Sequence, residues 1–178
     1  MKTKWTIDPT HSEIQFKIKH LVISTVTGSF GKFSAEVETD GDSFETANVH
    51  FTADVNSINT GNEQRDGHLK SADFFDAGNF PTVDFVSTGV VKTGDNTFKL
   101  KGNLTMRGTT KPVELDVEFG GLMKDFYGNI KAGFEVTGKI NRKEFGLHWS
   151  AVTEAGGVVV SDEVKIQANV QFAKVVAA

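Results

Sequence analysis

The chain has no cysteine among its 178 residues, so disulfides and thiolate metal ligands are excluded, and the redox compartment is left unmarked. No apolar run approaches the length needed to cross a bilayer, and the N-terminal stretch from Met1 to Asp8 contains nothing like a signal-peptide core. As given, the chain is expected to be cytoplasmic, or periplasmic or secreted if a leader has been removed. Basic charge is not concentrated anywhere. The net charge is −4 with Lys and Arg spread along the chain, which argues against a phosphate-backbone partner such as nucleic acid. The aromatic set is short of residues with a polar handle: one Tyr and two Trp stand against 15 Phe. Phenylalanine brings a large apolar surface and no hydrogen-bonding group, so this skew suits a packed core or an oily cavity wall.

What is present is alternation of apolar and polar residues, the period-two pattern of strands with one dry face. Ile14, Phe16 and Ile18 form one inward row; Phe33, Ala35 and Val37 a second; Val49, Phe51, Ala53 and Val55 a third; Val83 and Phe85 a fourth. The second half continues with Phe98, Leu100, Leu104 and Met106; Val113, Leu115, Val117 and Phe119; Ile130, Ala132, Phe134, Val136 and Ile140; and Val164, Ile166, Ala168, Val170 and Phe172. Turn residues that tolerate positive φ lie between rows: Asp40-Gly41-Asp42, Thr93-Gly94-Asp95-Asn96, Arg107-Gly108, Gly120-Gly121 and Tyr127-Gly128-Asn129. Short turns make successive strands antiparallel neighbours, and about eight long strands can close into a barrel that leaves no exposed edge. A single all-β domain over residues 1–178 is the expectation, an eight-stranded antiparallel lipocalin-like barrel. Gly102 and Gly138 interrupt inward rows, which points to barrel curvature or to room made for a ligand.

One segment breaks the rhythm. From Ile58 to Pro81 the sequence turns polar and then carries Phe74, Phe75 and Phe80. Thr60 with Glu63 fits a capping box and Asp66 can pair with Lys70, so a short helical cap is expected near residues 60–76, covering one barrel mouth.

These stretches resemble the YceI-like family of lipid-binding proteins. The resemblance rests on Asp8-Pro9-Thr10-His11-Ser12 leading to Phe16 and His20; on Ser57-Ile58-Asn59-Thr60 with Arg65-Asp66-Gly67-His68-Leu69 and Asp73-Phe74-Phe75-Asp76; on the run from Gly102 to Val113; and on Asn141-Arg142-Lys143-Glu144-Phe145-Gly146-Leu147. It implies a lipocalin-like eight-stranded barrel whose pore takes the tail of a polyisoprenoid, quinone or similar amphiphile. The resemblance also implies a leader in many relatives, a pattern from which this chain, as given, is expected to depart. A homodimer is a further expectation the resemblance carries.

The candidate cavity wall is drawn from the inward rows: Phe16, Ile18, Phe33, Phe51, Phe85, Leu100, Leu104, Leu115, Val117, Phe134, Val136, Ile166, Val170 and Phe172. The candidate mouth and head-group residues are His20, Arg65, His68, Phe74, Phe75 and Trp149. Arg65 is the strongest candidate for a phosphate or quinone oxygen because guanidinium offers a planar donor fork. The plainer role for Arg65 and Asp66 is to satisfy caps and loop carbonyls, with catalysis ranked last. His20 shares the parity of Phe16 and Ile18 and would need a partner if it faces inward. The histidines at 11, 20, 50, 68 and 148 show no metal-ligand spacing, so no metal is expected. No Gly-x-Ser-x-Gly elbow occurs, and Ala155-Gly156-Gly157-Val158 lacks the residues of a phosphate loop. The leading expectation is a non-enzymatic carrier without a cofactor, binding a long lipid such as a polyprenyl phosphate or isoprenoid quinone. The alternatives are a structural barrel filled by its own side chains and an enzyme acting at the mouth.

Overall fold

Alternating rows fold here into one antiparallel sheet. The computed structural model describes residues 2–20, 24–148 and 160–175. Its strands are β1 (Lys2–Ile7), β2 (Glu13–His20), β3 (Ser24–Phe30), β4 (Phe33–Asp40), β5 (Ser43–Asp54), β6 (Ile58–Asn59), β7 (Thr82–Lys92), β8 (Thr97–Met106), β9 (Thr109–Lys124), β10 (Ile130–Asn141) and β11 (Val160–Lys174), with one α-helix, α1 (Glu63–Lys70). The sheet order is β1-β4-β5-β7-β8-β9-β10-β11-β2-β3-β6, and a further β1–β11 pairing closes the ring.

These 11 segments make a barrel of eight strands because three long strands are interrupted along their length. β1 and β2 are halves of one strand, separated by a single 3-10 turn at Pro9–His11, and β3 and β4 are halves of the next, bent at Gly31-Lys32. β1 pairs with β4 (Trp5↔Val37) and β2 with β3 (Phe16↔Gly28), so the halves form one bent hairpin. β11 then pairs with β2 over most of its length (Ile166↔Phe16) and with β1 at its end (Phe172↔Ile7), which seals the cylinder. β6 continues β5 past another 3-10 turn. Alternation alone misses β3, Ser-Thr-Val-Thr-Gly-Ser-Phe, because Gly28 occupies its centre. The ring of Phe16 lies there instead, so close that a Cβ on Gly28 would fall 2.2 Å from its Cζ.

The kink between β1 and β2 is built by the Asp8-Pro9-Thr10-His11-Ser12 stretch. The Asp8 carboxylate caps the turn, accepting from the Thr10 backbone N–H (3.1 Å), the Thr10 hydroxyl (2.7 Å) and His11 Nδ1 (3.0 Å), and it takes a bond from Lys131 Nζ at 2.7 Å. Ser12 Oγ accepts from the Gln171 backbone N–H at 3.0 Å, and the Asp8 N–H reaches the Gln171 carbonyl at 2.8 Å. The side chains of Asp8 and Lys131 are each only 15% exposed. Lys131 first, then Thr10 and His11, hold the Asp8 carboxyl far below the usual carboxylate range. A depressed carboxyl contributes stability above the unfolded-state value near 4, and that contribution is lost as pH falls toward the folded-state value. Asp8→Asn is therefore expected to cost about 1–2 kcal/mol at neutral pH and clearly less at about pH 2. Urea melts of both proteins at the two pH values check this; an identical loss at each would show that charge is not what Asp8 supplies.

Three expectations are corrected. The helix begins at Glu63 with Asn62 as its cap, whose side chain accepts from the Arg65 N–H at 3.0 Å; Thr60 does not cap it. Thr60 is instead gripped by Asp66, which accepts its N–H (2.9 Å) and hydroxyl (2.6 Å), so the Asp66 carboxylate is engaged there rather than with Lys70. Gly120-Gly121 is not a turn but a bulge inside β9: the register with β10 shifts at Gly133/Phe134, and Gly121 adopts φ +117. The hairpin closes further on, where the Asp125 carboxylate accepts the backbone N–H groups of Tyr127 and Asn129 (2.9 Å each) and Gly128 takes φ +84.

Candidate binding cavity

Inward side chains collect into two clusters, one at each end of the cylinder. The first joins Val55, Ile58, Phe74, Phe75, Met106, Phe145 and Leu147 beneath the helix. The second joins Trp5, Ile7, Val37, Ala132, Val170 and Phe172 at the opposite end. Between them lies a cavity of about 610 Å³. Its wall is almost wholly apolar: Gln15, Asn62, Gln64, Arg65, His68 and Arg142 are its polar members.

Every wall residue named from the sequence lines this cavity except Phe33. Phe33 is the first residue of β4, just past the kink, and its ring stacks on Phe51 at 6.5 Å and 26°, so that Phe51 holds the lining position. Of the mouth residues, Arg65, His68, Phe74 and Phe75 line the cavity. The His20 side chain, Trp149 and the glycine-rich run at 155–158 lie outside the described residues. Gly102 and Gly138 make room for neighbouring side chains rather than for a ligand. A Cβ at Gly102 would fall 2.4 Å from Phe85 Cζ, and one at Gly138 2.5 Å from Leu115 Cδ2.

At the helical end, the lid is held by its own bonds. Arg65 donates from Nε to the Thr60 hydroxyl (2.8 Å) and from Nη2 to the Thr60 carbonyl (2.7 Å), the anchoring role that competes with head-group contact. His68 Nε2 lies 2.9 Å from an Asp73 carboxylate oxygen, and its ring meets Phe74 edge-on at 5.1 Å. Phe75 meets Phe30 edge-on, and Phe30 in turn leans on Phe16 at 5.7 Å. Arg107 Nη1 ties the lid to the β10–β11 connection by donating to the carbonyls of Phe74 (3.1 Å) and Gly146 (2.9 Å).

Arg142 is the cavity residue that alternation did not single out. It is 2% exposed, and its guanidinium donates to the carbonyls of Ser161 (2.9 Å), Leu147 (2.7 Å) and Val160 (3.3 Å) while lying 5.9 Å from the Phe74 ring centre. Burial pushes its pKa down, and the Asp162 carboxylate 3.9 Å away opposes that shift. Arginine starts so high on the pH scale that it stays charged. A signal was available: Arg142 follows Ile140 at the inward parity of β10, where a charged residue is out of place.

Among the described residues no three His, Asp or Glu side chains gather as a metal site, and no helix is long and apolar enough to cross a membrane. The fold and its interior define a class, the closed lipocalin-like barrel built around an apolar cavity. The chain belongs to the YceI-like family, whose domain matches residues 5–172. It is 41% identical over 171 residues to a UPF0312 protein of Staphylococcus aureus strain USA300, covering 96% of this chain and 97% of that one. Among solved structures, Burkholderia cenocepacia BcnA superposes with a TM-score of 0.81 at 25% identity over 93% of this chain and 98% of its own. The Campylobacter jejuni YceI protein gives 0.68 at 35% identity, covering 85% and 88%. A polyisoprenoid binding domain from Saccharophagus degradans shares the fold, with a TM-score of 0.66 at 16% identity over 95% of this chain and 97% of that one.

Proposed function

We propose that this protein binds a long-chain apolar amphiphile, a polyisoprenoid or a quinone or phosphate carrying such a tail, and sequesters or transports it without bond chemistry. The observation that carries this reading is the 610 Å³ cavity, whose apolar wall runs from the lid to the far end of the barrel. A barrel filled by its own side chains would leave no such space. The polyisoprenoid binding domain of the same fold is consistent with that choice of ligand. An enzyme needs a positioned acid and base, whereas Arg65, Asp66 and His68 are engaged in bonds that hold the lid together.

Burial of apolar surface contributes roughly 0.8 kcal/mol per methylene, so a few isoprene units outweigh any single head-group contact even after ordering costs. Tail contacts therefore set affinity and the mouth sets orientation. Arg65→Ala is expected to weaken binding of a prenyl phosphate only about three- to tenfold, while Val136→Asp, which places a charge in mid-wall, should abolish it. The protein purified without detergent, extracted with organic solvent and analysed by mass spectrometry should yield about one lipid per chain. An empty protein that also refuses added prenyl phosphates and quinones would sink the proposal in favour of a structural barrel, and loss of binding in the Arg65 variant alone would reverse the division of labour.

A further inference from the structure

The end of the barrel opposite the lid is closed by aromatic rings, and they are not equally fixed. Trp5 is 0% exposed, and its indole N–H donates to the Thr39 hydroxyl at 3.1 Å. Phe134 packs against Phe119 at 5.2 Å and Phe172 at 6.1 Å, all on strands paired on both sides. Phe44 fills the space among them, 5.1 Å from Trp5, 5.2 Å from Phe119 and 4.9 Å from Phe134, and it also lines the cavity. It stands on a weaker piece of wall. The β5–β7 ladder runs only from Asp54↔Thr82 to His50↔Val86, after which Ser87 Oγ accepts the Val49 N–H at 2.8 Å. The β4–β5 register shifts between Asp40↔Ser43 and Glu38↔Asn48, so Phe44 sits in the irregular stretch between those pairs, and the β5–β7 ladder does not reach it.

The space above Phe44 has a definite capacity. At the packing density of protein interiors, about 0.74, a cavity of about 610 Å³ holds roughly 25–30 carbon atoms, or about five to six isoprene units. Length gives a similar answer. From Val160 to Phe172 the wall of β11 rises roughly 30 Å at a strand tilt of about 40°. An extended isoprene repeat, made of four main-chain bonds, covers about 5 Å.

We propose that Phe44 is the shutter at the closed end of the barrel and limits the accepted tail to about six isoprene units. The inference rests on the apolar-amphiphile reading above and adds a length selection to it. Removing the ring joins its volume, about that of one isoprene unit, to the cavity at the place where the wall has no second strand to close it. A larger residue at Ala47, the next lining position along β5, raises the floor instead.

The test is a series of all-trans prenyl alcohols from about three to about eight units, binding being measured by competition and stoichiometry by native mass spectrometry. The wild-type chain should gain about tenfold or more in affinity per unit up to about six units, then level off within about threefold. Phe44→Ala should move the levelling point up by a unit or more, and Ala47→Phe should move it down. Phe44→Leu serves if the alanine variant does not fold. Levelling at the same length in both variants, with shorter tails still bound, would overturn the role of Phe44. Affinity that keeps climbing past eight units in the wild type would overturn the length limit while leaving lipid binding intact. Failure of every prenyl alcohol to bind the wild type would remove the amphiphile reading and this inference together.

Discussion

Arg142→Met is expected to lower global stability by about 3–4 kcal/mol, although it replaces a buried charge with an apolar side chain of similar length. Swapping a buried ion pair for hydrophobic residues is often neutral because both charged partners leave together. Here three of the partners are backbone carbonyls, which cannot leave. The carbonyls of Ser161, Leu147 and Val160 all receive bonds from this one guanidinium. A thioether returns none of those hydrogens, so each carbonyl must find water or remain unpaired at a cost of about 1–3 kcal/mol. Partial hydration near the mouth keeps the total below the sum. Arg142→Lys should recover less than half of the loss, since a single ammonium cannot span carbonyls on both sides of the β10–β11 connection. Chemical denaturation gives the size of the effect, and hydrogen exchange should show Val160–Glu163 deprotected first. A methionine variant as stable as the wild type would mean that Arg142 is kept for a ligand and not for the lid.

That reading of Arg142 also shows how far the sequence could be read. Strict alternation identifies the wall because inward and outward residues sit in different solvents, and the rows from Phe98 to Val136 need nothing more. It fails where geometry interrupts the period. Phe44 is out of step with Ala47, Val49 and Phe51, so its place on the floor depends on the wide turn after Asp40, where the Asp40 N–H bonds the Thr46 hydroxyl at 2.8 Å and the β4–β5 register shifts. Trp5 and Ile7 are inward, but β1 is joined to its second half only through the Asp8 turn, whose partner Lys131 is 123 positions away in sequence. The lid was visible as a break in rhythm. Which polar residue caps it was not, because Asn62 and Thr60 are both competent and only the grip of Asp66 on Thr60 decides between them.

Gly102→Ala, the addition of one methyl group, is expected to cost about 3 kcal/mol and roughly 8 °C in Tm, more than most truncations on the barrel's outer face. The new Cβ would lie 2.4 Å from Phe85 Cζ and 2.6 Å from the Val86 backbone oxygen. The ring can yield; the oxygen belongs to the β7–β8 ladder beside the register shift at Ser87/Gly89 and cannot move without breaking pairs. Gly138→Ala provides the contrast, since its nearest neighbour is the flexible end of Leu115 at 2.5 Å and the next atom is 3.7 Å away. That variant should lose about 1 kcal/mol or less. The two also differ in function. Phe85 lines the cavity, so a ring pushed off Gly102 swings into the space a tail would fill, and a Gly102→Ala protein that still folds should retain shorter lipids than the wild type. Thermal melts with lipid extraction on both variants test this, and equal losses at the two glycines would mean that strand flexibility, rather than the seat for Phe85, is what Gly102 provides.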